Sequence, residues 1–185
     1  MGLTKLRAGA FGTGVISSSL PTGSVLQTLQ ANKTDKQLIE STSFVDVLTK
    51  AITPSATSSG VLVMAYVSIS GYGHLDVRVT RNDANIDNAS GTGVGMGDQV
   101  GSNRVRSAAH FYNVTNFNTT YSNNTPTIVL LDYPETTSAV TYKIKACSPN
   151  DASSYDVNIN HQYSDSDALW AATTITSLTV QEIKG

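Results

Sequence analysis

The stretch Leu75-Asp76-Val77-Arg78-Val79-Thr80 alternates apolar and polar side chains, and Val140-Thr141-Tyr142-Lys143-Ile144-Lys145-Ala146 does the same. Successive side chains of a strand point to opposite faces, so a period of two makes a ribbon with one apolar face, which must be buried against another sheet. Similar strand signals cover 24–30, 44–48, 60–70, 105–112, 127–131, 157–161 and 173–183, separated by Gly, Asn and Ser corners. Gly60–Ser70 is apolar on both faces in its first half and reads as a central strand. Gly71-Tyr72-Gly73 reads as a tight hairpin turn joining it to the strand that starts at Leu75. Nine or ten short strands without intervening helical periods predict an all-β fold, an antiparallel β-sandwich that is jelly-roll-like.

Composition agrees with this pattern. Charged residues make up 14% of the 185-residue chain, and Ser, Thr and Asn occupy positions that Lys and Glu fill elsewhere. A chain of this length suits one sandwich with a short appended segment. Residues 1–22, with Gly9, Gly12, Gly14, Ser17–Ser19 and Pro21, hold neither period and read as an extended N-terminal arm ahead of a β-sandwich domain at 23–185. The arm still carries Leu3, Leu6, Phe11, Val15, Ile16 and Leu20, enough apolar surface to dock on a larger particle. The segment 164–172, with Leu169 and Trp170, reads either as one helical turn or as a loop whose indole caps the core.

The formal net charge of −2 gives no footprint for nucleic acid, and Arg104 with Arg106 reads as part of a solvated strand face. The longest apolar run, Val61–Val67, is too short for membrane insertion, and Met1–Lys5 lacks the basic-then-apolar pattern of a secretory signal. Cys147 is the sole cysteine, so no intrachain disulfide is possible and a buried thiol is expected.

No reactive constellation emerges. The glycines at 91, 93, 95 and 97 recur every second residue, form a flexible loop, and match no dinucleotide-binding turn. Asp83-x-Asn85-x-Asp87 begins like a calcium loop, but Asn88 and Val94 stand where the turn glycine and the bidentate carboxylate belong, so an Asx-rich turn is expected. His74, His110 and His161 lack chelate spacing, leaving three copies around a three-fold axis as the route to a metal. The strand carboxylates Asp46 and Asp76 read as solvent-face positions. No catalytic residue, cofactor or resident metal is expected, and the chain reads as a non-enzyme. One loop stands apart: Asn116, Phe117, Asn118 and Tyr121 place two aromatics among small amides, which fits either a glycan or receptor contact or an anchor of the loop to the core.

Ordered pieces of the sequence resemble a β-domain that recurs in virion proteins of marine bacteriophages, including cyanophages, often at the ends of tail-fibre-like proteins. They are Pro21–Gln27, Ser43–Val47, Ile52–Val63, Leu130–Pro134, Thr136–Ile144 and Ser177–Ile183, and together they span roughly residues 20–185. Arg81-Asn82-Asp83 departs from the basic, small-residue triplet usual there, and about twenty residues precede the domain in place of a long fibre. The resemblance implies a virion-surface structural protein, a capsid decoration or knob or a short fibre tip. Its expected partners are two further copies in a homotrimer, other phage virion proteins of capsid or tail and, in the alternative reading, a host surface glycan or receptor. A polysaccharide depolymerase ranks behind both.

Overall fold

The computed structural model describes residues 20–87, 93–113, 123–150, 156–163, 165–169 and 171–185. Within them lie twelve strands and no helix: β1 Val25–Lys33, β2 Gln37–Ile39, β3 Val45–Ile52, β4 Gly60–Tyr66, β5 Ile69–Gly71, β6 Gly73–Arg81, β7 Ala84–Asn85, β8 Ala109–Asn113, β9 Thr127–Asp132, β10 Val140–Cys147, β11 Val157–Ile159 and β12 Thr176–Ile183.

Two main sheets form the sandwich, ordered β1-β12-β4-β9 and β3-β10-β6, with β7 and β8 pairing successive parts of β6. Every pairing is antiparallel. The partners β1/β12, β3/β10, β4/β9 and β6/β8 nest inside one another along the chain, as when one long hairpin is wound around a barrel axis. That is the jelly-roll connectivity, and it bears out the all-β sandwich. It also removes one expected element. β4 pairs with β12 and β9 whereas β6 pairs with β10, β7 and β8, so the chain from 66 to 73 crosses between sheets and no β4–β6 hairpin exists.

The crossing is made through a third, small sheet, β2-β11-β5, that caps one end of the sandwich. Asn160 ties this cap to the main sheets: its Nδ2 donates to the carbonyls of Lys33 at 2.8 Å and Asp35 at 3.0 Å, and its Oδ1 accepts from Thr176 Oγ1 at 2.8 Å. The left-handed φ of +65° at this residue suits an asparagine.

Between the sheets the predicted period-two positions meet. Leu75, Val77 and Val79 of β6, Tyr142, Ile144 and Ala146 of β10, Val61, Val63 and Ala65 of β4, and Leu178 and Val180 of β12 are all fully buried. Each larger aliphatic side chain here contributes about 1.5–3 kcal/mol over its exposed state. The side of the sandwich next to β9 is sealed by 93–97, the described part of the glycine series. Met96 is buried, and a Cβ at Gly95 would meet Leu130 Cδ2 at 2.2 Å. This stretch therefore packs against β9, and glycine is required at 95 because a side chain there would overlap Leu130.

Two buried carboxylates bind the sandwich at the opposite end from the cap. Asp132 of β9 accepts Arg81 Nη1 at 2.8 and 2.9 Å and Tyr142 Oη at 2.6 Å, linking one sheet to two strands of the other. Burial first, then this bond, push the Tyr142 phenol above its ordinary range. Glu182 of β12 accepts from Ser55 N and Oγ at 2.6 Å each, Ser59 Oγ at 2.7 Å and Gln27 Nε2 at 2.8 Å. Burial pushes its carboxyl up, but these donors together outweigh burial and hold it below its ordinary 4.5. A lowered folded-state value means that Glu182 contributes fully above about pH 4.5 and that its contribution is lost as pH falls through the folded value. Thermal melts from pH 6 to pH 3 are expected to fall less steeply for Glu182→Gln than for the parent. Parallel curves would remove Glu182 from the acid response.

Candidate functional site

The outer face of the β4/β9 half of the first sheet is apolar where a solvated sandwich would be polar. Leu62 stands opposite Leu131 and Met64 opposite Val129 on that face, with Tyr66 at one end and Tyr133 at the other. Val129 is 60% exposed, Tyr133 59%, and Tyr66 and Leu131 38% each. The strip carries no charged side chain. Tyr133 and Leu131 lie over Gly60, where a Cβ would sit 3.2 and 3.1 Å from their side chains.

β9 is also a sheet edge. Its side away from β4 pairs with no described strand, and 93–97 packs against part of it. The signal was present in the sequence, because Leu62, Met64, Val129 and Leu131 occupy the alternate positions of strands already apolar on the inner face. It reads equally well as a strand buried on both sides.

Leu20 is held at the β1/β12 side of the same end of this sheet. Gly23 N donates to the Lys184 carbonyl at 2.8 Å, Lys184 N to the Ser24 carbonyl at 2.9 Å, and Lys184 Nζ to the Leu20 carbonyl. Lys184 follows Ile183, which pairs with Gly60 at the Tyr133 end. Leu20 is thus half-buried at that end. The other attachment candidates, Leu3, Leu6, Phe11, Val15 and Ile16, lie outside the described residues.

Asn116, Phe117, Asn118 and Tyr121 also lie outside the described residues. Their segment leaves after Asn113, which pairs with Gly73, and returns before Asn124, whose backbone exchanges hydrogen bonds of 2.7 and 2.9 Å with Ile69. Both junctions sit at the capped end, away from Leu20. Tyr72 and Tyr163 meet there with ring centroids 6.2 Å apart, and Tyr163 is exposed. In the neighbouring segment Leu169 is fully exposed and 165–169 is not helical, so the helical turn is not formed there; Trp170 lies outside the described residues.

The outer face of the second sheet is polar and internally matched. Lys143 and Lys145 each reach both Asp46 and Asp83 at 2.7–2.8 Å, and hydrogen bonds from the two lysines, Lys143 first, draw the Asp83 carboxyl down to about 2. Asn82 and Asp83 adopt left-handed φ values of +49° and +65° in the turn between β6 and β7, which is the Asx-rich turn expected. Asp87, just past β7, is ion-paired with Arg106, which belongs to no strand; its place on a solvated strand face is corrected. Arg78 stacks 3.8 Å over Phe44.

Asp76 corrects a second expectation. It faces outward, as alternation requires, yet only 1% of it is exposed, because the strand expected at 105–112 begins only at Ala109 and 104–107 passes over the sheet. Arg104, Val105, Ser107 and Pro149 line a hollow of about 430 Å³ beside Asp76 and His110. Cys147, the residue opposite Asp76 on β10, is buried, and burial, with Asp76 adding, pushes its thiol up to about 12.

A second hollow of about 420 Å³ is lined by Arg81, Asp87, Asp132, Tyr133 and Glu135. Asp87 and Asp132 are already held by Arg106, Arg81 and Tyr142, which suits a structural role better than acid–base chemistry. Among the described residues no group of three or more His, Cys, Asp or Glu side chains is placed to hold a metal, and no helix is long and apolar enough to cross a membrane. No protein-family model matches the chain, and a comparison with curated proteins finds no match.

Proposed function

We propose that the chain is a structural protein of a bacteriophage virion surface, a capsid decoration or knob or a short fibre tip, that assembles as a homotrimer and is attached to the particle through its N-terminal residues. The observation that carries this reading is the uncharged, exposed strip on β4 and β9 at one edge of the first sheet. The occupant is a second copy of the chain. A neutral apolar strip offers no charge by which to select an unlike partner, whereas further copies carry the same strip and can bring it to a common axis. Rotation about a three-fold axis would cover all three strips without opening a filament. The resemblance of residues 20–185 to marine phage virion domains supplies the setting. Electron cryomicroscopy of particles produced by the phage that encodes the chain is expected to show three-fold density of jelly-roll size on the head or tail; purified particles lacking the protein would overturn the proposal.

The second reading, a receptor- or glycan-binding tip, is favoured by the capped end. There the junctions of 114–122 and the Tyr72–Tyr163 pair lie far from the point of attachment. A glycan array with the parent and with Phe117→Ala/Tyr121→Ala separates the two, since pure decoration gives no signal for either protein.

A further inference from the structure

We infer that His74 and His110 form a binding site for a divalent transition metal of the zinc class, with Asp76 as the carboxylate behind one ligand. His110 stands directly across from Asp76 in the β6/β8 ladder, and His74 is its diagonal neighbour on the same face. The two histidines are 36 positions apart in the chain, so no chelate spacing is visible in the sequence. His110 Nδ1 lies 3.2 Å from both Asp76 oxygens. With Asp76 as acceptor, Nδ1 is the donor and the lone pair of the neutral imidazole is left on Nε2.

That Nε2 lies 3.3 Å from His74 Nδ1. Two nitrogens bound at about 2.05 Å to a tetrahedral zinc stand about 3.3 Å apart. The ring centroids are 5.2 Å apart, closer than two rings whose nitrogens point straight at each other at this distance, so the arrangement is bent and its open side can take a shared ion. In the metal-free protein a proton on one imidazole nitrogen bridges the pair. A metal takes its place, with His74 shifting to the tautomer that carries its proton on Nε2.

The surroundings fit. Asp76 is buried and fixes the tautomer and ring orientation of His110, the carboxylate–histidine–metal arrangement that raises ligand basicity. Tyr112 packs against His74 with centroids 4.5 Å apart and holds its ring. The His110 side chain is 47% exposed, so the ion has a route in. Among the described residues no third His, Cys, Asp or Glu is placed to ligate the ion, so water completes the coordination and the affinity is that of an open two-histidine site. Imidazole pairs select zinc, copper(II) and nickel over magnesium and calcium.

Calorimetric titration of the full-length protein with zinc chloride, after treatment with chelator, is expected to give one ion per chain in the micromolar range, with no response to magnesium. His74→Ala/His110→Ala should abolish the binding, and Asp76→Asn should weaken it about 10–100-fold. The copper(II) complex of the parent should carry the hyperfine signature of two imidazole nitrogens, a readout that does not depend on any variant folding. Absence of zinc binding by the parent, equal binding by the double variant, or a copper spectrum without imidazole nitrogen each overturns the inference.

Discussion

Asp132→Ala is expected to lower the unfolding free energy by about 3–5 kcal/mol, the range for removing one partner of a buried, hydrogen-bonded pair. The aspartate is only 4% exposed and receives two contacts from Arg81 and one from Tyr142. Its loss leaves the buried phenol without its acceptor and the guanidinium, partly buried, without its counter-charge. It also cuts the polar link between β9 in one sheet and β6 and β10 in the other. Tyr142→Phe removes one hydrogen bond and keeps the ion pair, so its cost should be near 1–2 kcal/mol, about that of a single bond to a charged group. Urea denaturation should show the midpoint moving with an unchanged slope. A loss below about 1 kcal/mol for Asp132→Ala would mean that the sheets are held together without this link.

Gly71→Ala is the second large effect, and it acts through the backbone. Gly71 sits where the chain crosses between sheets, at φ +147°, and a Cβ there would lie 2.0 Å from the Asp156 carbonyl oxygen and 2.9 Å from Leu75 Cδ2. The carbonyl is backbone and accepts from Tyr72 N at 3.2 Å, so it cannot move without breaking the Val157–Gly71 pairing of the cap. Backbone strain of about 1–3 kcal/mol adds to overpacking of about 1–3 kcal/mol, which is enough to unfold the cap. Gly23→Ala is the control. It too has a left-handed φ, +88°, but nothing lies within 4 Å of its Cβ, so its cost should be about 1 kcal/mol, the conformational term alone. Amide exchange should show the loss for Gly71→Ala concentrated in 37–39, 69–71 and 157–159; equal effects of the two substitutions would refute the steric account.

What the sequence could reveal tracks the range of the interaction. The alternation at Leu75–Thr80 and Val140–Ala146 is local, and those side chains face the core as the pattern requires. Pairing is not local. Gly71-Tyr72-Gly73 has the composition of a hairpin turn, but β12, more than a hundred residues later, takes the place beside β4 that a hairpin would give to β6. Asp76 lies on the polar side of its strand, and its burial among His110 of β8, 104–107 and Pro149 is set by chain far away in sequence. The same applies to His74 and His110, brought together by the β6/β8 register alone. The strip on β4 and β9 is visible as apolar letters, while its exposure depends on no described element covering that face.

Whether a second copy covers that strip is the question on which the functional account turns, and sedimentation equilibrium of the full-length chain answers it. The expected result is three times the chain mass for the parent and a single chain mass for Val129→Lys/Leu131→Lys, with both proteins giving the same circular dichroism. A parent that sediments as a monomer at every concentration, or a double variant that keeps the mass of the parent, would contradict it.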